Sequence, residues 1–302
     1  MSEFFLLPGP PTFSDELKSE CRESGDFRPM LFEWYKFTAL LCNFYASIHF
    51  KSPAFEKPNK LPAIRYAVCI GLLNRCSRLM LSNIALSHTG AFGETTSIID
   101  RSIFESCVKL AWLCQQQDTE SLERFLADGL KTELELKTAV EKAIQERNNQ
   151  TLPIEDRMLT SIQRTITSST LSEQKIVSAK KLPDLASMLE MLGQSRWFYL
   201  VGQKVGSQHV HGSWPSLKLH YLKMGEDGFW SPADHGHETH QNQFIYIPLV
   251  LLDAMKSHVN CWFENPSDRL EAVKLFDAVM EEISRIMLEA DGSDFEIVST
   301  IE

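Results

Sequence analysis

Apolar side chains recur at intervals of three and four, not two, through most of this chain, and that period commits it to helix after helix. The expected class is all-α, an antiparallel bundle of long neighbours. The spacing predicts helices from about Met30 to His49, Pro62 to Ser87 and Phe92 to Gln116, with His88-Thr89-Gly90 turning the second into the third. A fourth begins near Thr119 with the Thr-Glu-Ser-Leu-Glu run as its cap. Two more cover about 242–262 and 266–290, the last opened by Asn265 as cap and Pro266 in the first turn. The whole is read as one helical domain over 30–290, with an N-terminal segment 1–29 and a tail 291–302.

Two stretches depart from the pattern. Residues 129–181 are rich in lysine and glutamate with few large apolar side chains, which predicts a charged helical arm with solvated faces. Residues 213–241 carry Gly225, Gly228, Pro232 and Gly236 and are expected as an irregular loop, with Leu219-His-Tyr-Leu as a short strand or turn.

Charge narrows the function classes. Forty acidic against thirty basic side chains give a net charge of −10, which argues against a broad nonspecific nucleic-acid or anionic-membrane surface. No window reaches the eighteen or so uncharged apolar residues of a membrane span, because Arg65, Arg75 and Arg78 interrupt the richest one. The opening MSEFFLLPGPP lacks the positive charge of an export signal. Seven cysteines without a Cys-x-x-Cys pair suggest neither a disulfide framework nor a thiolate zinc site. Cys69 with Cys76, and Cys107 with Cys114, each lie two helical turns apart on apolar faces, so buried reduced thiols and a cytoplasmic setting are expected. No phosphate-cradling glycine loop, dinucleotide fingerprint or Gly-x-Ser-x-Gly elbow is present, so no cofactor is expected.

Chemistry-bearing residues cluster in three places. Glu94, Arg101 and Glu105 project from one face of the third helix, beside Ile98 and Val108, and charges there persist only when paired with one another or with something bound. Residues 198–212, FYLVGQKVGSQHVHG, read as one helix with Gly212 as C-cap. Gly202, Gly206 and His209 share one face, where His209 is expected to be packed and hydrogen-bonded; Lys204, Ser207 and His211 share another. A third group, His235-Gly-His237-Glu-Thr-His240, thinly resembles the His-x-His-x-Asp-His zinc motif of metallo-β-lactamase-like hydrolases. Thr239 stands where the aspartate belongs, so the motif alone does not predict a metal site; a site combining His209 or His211 with His235, His237 or His240 stands as a third reading.

The stretches IIDRSIFESCVKLAWL and FYLVGQKVGSQHVHGSW together resemble a widespread family of bacterial helical proteins known only as a domain of unknown function, over roughly residues 30–290. Its recurrent features are an Arg-x-x-x-Glu on one long helix and, later, Tyr, Ser and a Val-His-Gly at a helix end; Arg101, Glu105, Tyr199, Ser207, His211 and Gly212 take those positions. That resemblance implies a fold and no particular activity. More distantly, the architecture is similar to the HEPN helical-bundle ribonucleases of toxin and antiphage systems, which set an Arg a few residues before a His on one helix and pair across a dimer. Here Lys204 stands in that place before His211, and lysine lacks the guanidinium fork that grips a phosphate, so Arg101 would supply it from another helix.

The expectation is a metal-independent pocket acting on a phosphate-bearing ligand, RNA foremost, in a homodimeric defence or toxin protein. His211 would be the general acid/base, Arg101 would stabilise the developing charge and Glu105 would orient it, with Tyr199, Lys204, Ser207 and His209 as binding residues. The alternative is a noncatalytic binding or regulatory module in which Arg101, Glu105 and His211 hold helices in register. Both require the helix of Arg101 and Glu105 to pack beside that of Ser207 and His211, with Glu105 meeting His211, Lys204 or Tyr199.

Overall fold

A computed structural model describes residues 9–50, 61–233 and 236–291, and it is predominantly helical. It divides into two compact units, one drawn from Met1–Gln115 and Leu185–Glu302, the other from Gln116–Asp184, where the sequence suggests one domain with an arm.

The first unit opens with a short helix, α1 (Asp15–Ser24), inside the segment expected to precede the fold. Long helices follow close to their expected limits: α2 (Arg28–Ala46), α3 (Ala63–Thr89) and α4 (Gly93–Gln115). Their alternation in direction is visible in the contacts. Along α2, Cys42, Ser77's partner Ala39, and Tyr35 meet Leu73, Ser77 and Asn83 of α3 in reverse order. Along α4, Leu113, Cys107 and Asp100 meet Arg65, Cys76 and Asn83 in the same reversed way. The penultimate long helix, α12 (Gln241–Trp262), breaks the alternation: Phe244 packs edge-on against Tyr35 while Phe263, just beyond its end, lies near Tyr45, so α12 runs parallel to α2. The last helix, α13 (Pro266–Ala290), starts at Asn265, whose side chain accepts from the Ser267 N–H at 3.0 Å, and brings Phe276 against Tyr45.

Tyr35, Phe104, Trp112, Trp262 and Phe276 are fully enclosed in the centre, as are Cys42, Cys69 and Cys76; no helix among the described residues is long and apolar enough to cross a membrane. Each enclosed aromatic removes 150–250 Å² of surface from water, so this layer supplies most of the driving force for the unit.

Between α4 and α12 the first unit also holds α8 (Leu185–Met191), α9 (Arg196–Tyr199), a π-helical turn (Leu200–Val205), α10 (Gly206–Val210) and α11 (Trp214–His220). The stretch expected as irregular thus contains α11 and a small antiparallel hairpin, β1 (Leu222–Met224) with β2 (Trp230–Pro232), in which Met224 faces Trp230 and Trp214 packs edge-on against Trp230.

The second unit takes in the stretch 129–181 expected as a charged helical arm. Its helices are α5 (Thr119–Glu146), α6 (Pro153–Ser168) and α7 (Glu173–Ser178), and Ala127, Leu130, Ile162, Ile166 and Ile176 form its own buried core. Few apolar residues suffice because they fall on one stripe of each helix. The cap of α5 is Asp118, accepting from the Ser121 N–H at 2.7 Å, one residue before the expected run.

Candidate functional site

The expected pairing of helices is present: α4 packs beside α10 and the π-turn, and glycines set the distance. A Cβ at Gly202 would stand 2.1 Å from the Tyr246 hydroxyl and 2.5 Å from the Phe104 ring; one at Gly206 would stand 2.9 Å from the Arg101 Cβ. Gly206 therefore lets α10 approach α4 at Arg101, and Gly202 leaves room for the Phe104 ring and the Tyr246 hydroxyl. Gly202→Ala is expected to destabilise the protein by about 1–3 kcal/mol through overpacking, despite alanine's better helix propensity. Thermal melting checks it, and an unchanged melting temperature contradicts the close approach.

On that interface the Arg101 Nε donates to Ser207 Oγ at 3.0 Å. With the Gln203 amide turned so that its oxygen faces the guanidinium, Gln203 also accepts from Arg101 Nη2 at 2.8 Å. Glu105 accepts from Lys109 Nζ at 2.6 Å and lies 3.8 Å from Arg101 Nη1, so its partners come from its own helix and not from His211, Lys204 or Tyr199.

His211 does not join this group. It is the C-cap of α10, exposed, with its backbone N–H donating to Ser207 O at 3.1 Å; among the described residues no side-chain hydrogen bond or ion pair joins it to Arg101 or Glu105. The helix ends at Val210, so His211 stands at its non-helical C-cap position, one turn beyond Ser207 and exposed. Lys204 is likewise exposed, its ammonium 5.9 Å from the ring of half-buried Tyr199.

His209 faces inward in its place, and it meets residues the sequence did not single out. Its ring lies 5.1 Å from that of His220, which lies 5.7 Å from that of His237. Contrary to expectation His209 is not fully hydrogen-bonded: its Nδ1, like Nε2 of His220, is buried without a partner. Glu94, the third member of the α4 trio, accepts hydrogen bonds from the hydroxyls of Ser216 and Tyr221. Burial pushes the His209 and His220 pKa values down, with Glu94 working in the opposite direction, and His209 and His237 lower that of His220 further. Burial also works to raise the Glu94 pKa, but Ser216, Tyr221 and the two imidazoles outweigh it, so the carboxylate stays ionised. His240 caps α12, its Nδ1 accepting from the Asn242 N–H at 3.2 Å, and His235 lies outside the described residues. Among the described residues no group of three or more His, Cys, Asp or Glu is placed to hold a metal ion.

Two cavities meet at these side chains. The larger, about 770 Å³, is lined among others by Arg28, His209, His220, His237 and Glu238. Arg28 is held there as a cation between Asp26 and Glu238. The smaller, about 250 Å³, is bounded by Asp100, Arg101, Gly202, His209, Asn242 and Tyr246. Ser97, Val205, His209 and Gln243 line both, so the cavities adjoin at His209. Asp100 is the buried acid of the group. Its carboxyl accepts from Asn83 Nδ2 at 2.6 Å and from Gln243 Nε2, yet burial outweighs both and pushes its pKa up to about 8.

No curated protein and no solved structure matches the chain. The profile of the Family of unknown function (DUF5677) matches residues 66–229, a span that includes Glu94, Asp100, Arg101, Ser207, His209, Ser216, His220 and Tyr221. That match covers more than half of the 302 residues, and the chain belongs to the Family of unknown function (DUF5677).

Proposed function

We propose that the cavity at His209 and His220 is a metal-independent acid–base site for a phosphate-bearing ligand, with RNA as the substrate class and a cytoplasmic defence or toxin protein as the setting. The observation that carries it is the pair of imidazoles 5.1 Å apart, each with a buried ring nitrogen that no protein group satisfies. Buried polar atoms are rarely left so, and a bound ligand is what would complete them.

Two facing imidazoles resist double protonation, so a one-proton pair is stable over a window of pH. Its neutral ring accepts the proton of an RNA 2′-hydroxyl as that oxygen attacks phosphorus; its imidazolium gives a proton to the departing 5′-oxygen. The products are a 2′,3′-cyclic phosphate and a free 5′-hydroxyl, with the pair's protons exchanged between rings. Arg101, anchored by Ser207 and Gln203, supplies fixed positive charge for the phosphorane, and Glu94 favours the protonated ring. The enclosed thiols support the reducing setting.

The test is incubation of the full chain with labelled single-stranded RNA in the presence of EDTA. Cleavage is expected from wild type and from His211→Ala, and its loss from Arg101→Ala. No cleavage by wild type, or equal cleavage by Arg101→Ala, ends this reading.

One observation favours a noncatalytic second reading: Arg101 Nε and Nη2 are both engaged across the helix interface. Arg101→Ala is accordingly expected to cost about 1–3 kcal/mol of stability, because it strips partners from Ser207 and Gln203. A melt unchanged by this substitution removes the register-holding role; loss of stability with no RNA activity in wild type leaves that role as the explanation.

A further inference from the structure

The smaller cavity is built differently from the larger. Val201, Val205 and Ile247 supply apolar lining, and Asp100, Asn242 and Tyr246 are among its polar lining residues. The Tyr246 hydroxyl is buried and makes no hydrogen bond, although a tyrosine oxygen in such a place ordinarily finds a partner. One wall is the π-turn, Leu200–Val205, an arrangement poorer in hydrogen-bond geometry than an α-helix and frequent at functional sites. At about 250 Å³ the space is below the roughly 300–1,000 Å³ of pockets for drug-sized ligands, so it suits one small ring system. A wholly aliphatic group has no use for the polar lining, and a sugar has none for the apolar lining. A flat heterocycle with a hydrogen-bonding rim fits both.

We infer that this cavity takes a nucleobase of the phosphate-bearing ligand, with the attached phosphate at Arg101 and His209. The inference rests on the phosphate-ligand reading above and adds that the nucleotide is unpaired, since a base within a duplex already has its hydrogen-bonding edge occupied. The two cavities adjoin at Val205, His209 and Gln243, which places a base in the smaller one within a nucleotide's reach of the larger. The Tyr246 hydroxyl donates to an acceptor on the base, and the walls exclude water from its faces.

Calorimetric titration of the full chain with the four common nucleoside 5′-monophosphates, ribose 5-phosphate and inorganic phosphate tests this. At least one nucleotide is expected to bind about tenfold or more tightly than ribose 5-phosphate. Tyr246→Phe is expected to weaken that nucleotide by about fivefold without changing phosphate binding, and to leave melting undiminished, because the hydroxyl it removes has no protein partner. Val205→Trp at the rim, a position 51% exposed and so tolerant of bulk, is expected to abolish the preference for the nucleotide while sparing phosphate. Equal binding of ribose 5-phosphate and every nucleotide, or a preference that survives either substitution unchanged, overturns the base site and leaves the phosphate reading standing. Absence of binding by every probe overturns both.

Discussion

His220→Ala is expected to lower the rate of RNA cleavage by about 10²–10⁴-fold, the range for loss of a positioned acid or base, while leaving the fold intact. The two effects separate because the buried Nε2 of His220 has no protein partner to lose, so truncation removes chemistry without orphaning a neighbour. His209→Ala should match it in cleavage, and the double variant should fall little below either single one, as groups acting as a unit do. The wild-type pH profile follows from the two depressed pKa values. Both imidazoles lose their protons below the ordinary value of about 6.5, so activity is expected to peak at acid pH and to be already declining as pH rises to 6.5, because the imidazolium disappears below that value. A rate that climbs steadily through pH 8, or a His220→Ala variant as active as wild type, contradicts the pair.

Asp100→Asn is expected to change stability more than any other conservative substitution in the site, and only above mildly acid pH. The native carboxyl titrates at about 8 against an ordinary value near 3.8. Between those values the native state holds a proton that the unfolded chain has released, so the stabilisation is whole below about pH 4 and is lost progressively as pH rises towards 8. Asparagine cannot ionise, so the variant escapes this loss. Melting curves of the two proteins should nearly coincide at pH 4 and diverge with increasing pH, to a difference on the order of several kcal/mol in favour of asparagine by pH 9. Curves that stay parallel from pH 4 to 9 show that Asp100 is ionised in the native protein, held by Asn83 and Gln243 more strongly than burial opposes them.

The fold was legible where periodicity speaks. α2, α3, α4, α12 and α13 fall within a few residues of their expected limits because each carries a long apolar stripe and a turn or cap at its ends. The second unit was not legible as a unit, since its core rests on a handful of residues such as Ile162, Ile166 and Ile176, scattered among charges. The meeting of α4 with the helix of Ser207 was anticipated from Gly202 and Gly206, and the Arg101–Ser207 hydrogen bond lies there. What sequence could not supply was where this helix ends. An unbroken helix at 100° per residue capped at Gly212 puts His211 on the face of Ser207; α10 ends at Val210, which leaves His211 exposed at the cap, while His209 lies beside His220. His220, Ser216 and Tyr221 were invisible for a related reason, because their spacing fits α11 and its exit, and no period links them to Glu94. The one available signal was the count of polar residues in a stretch otherwise rich in tryptophan and leucine.

Histidine-selective NMR titration reports directly whether His209 and His220 face a ligand's phosphate from a buried position. In the free protein both rings are expected to titrate below 6.5, the ordinary imidazole value. Added inorganic phosphate should raise both values, because an anion stabilises the imidazolium, while exposed His211 stays where it was. If phosphate leaves the titrations of His209 and His220 unchanged, or shifts His211 as much as them, the site is not where this account puts it.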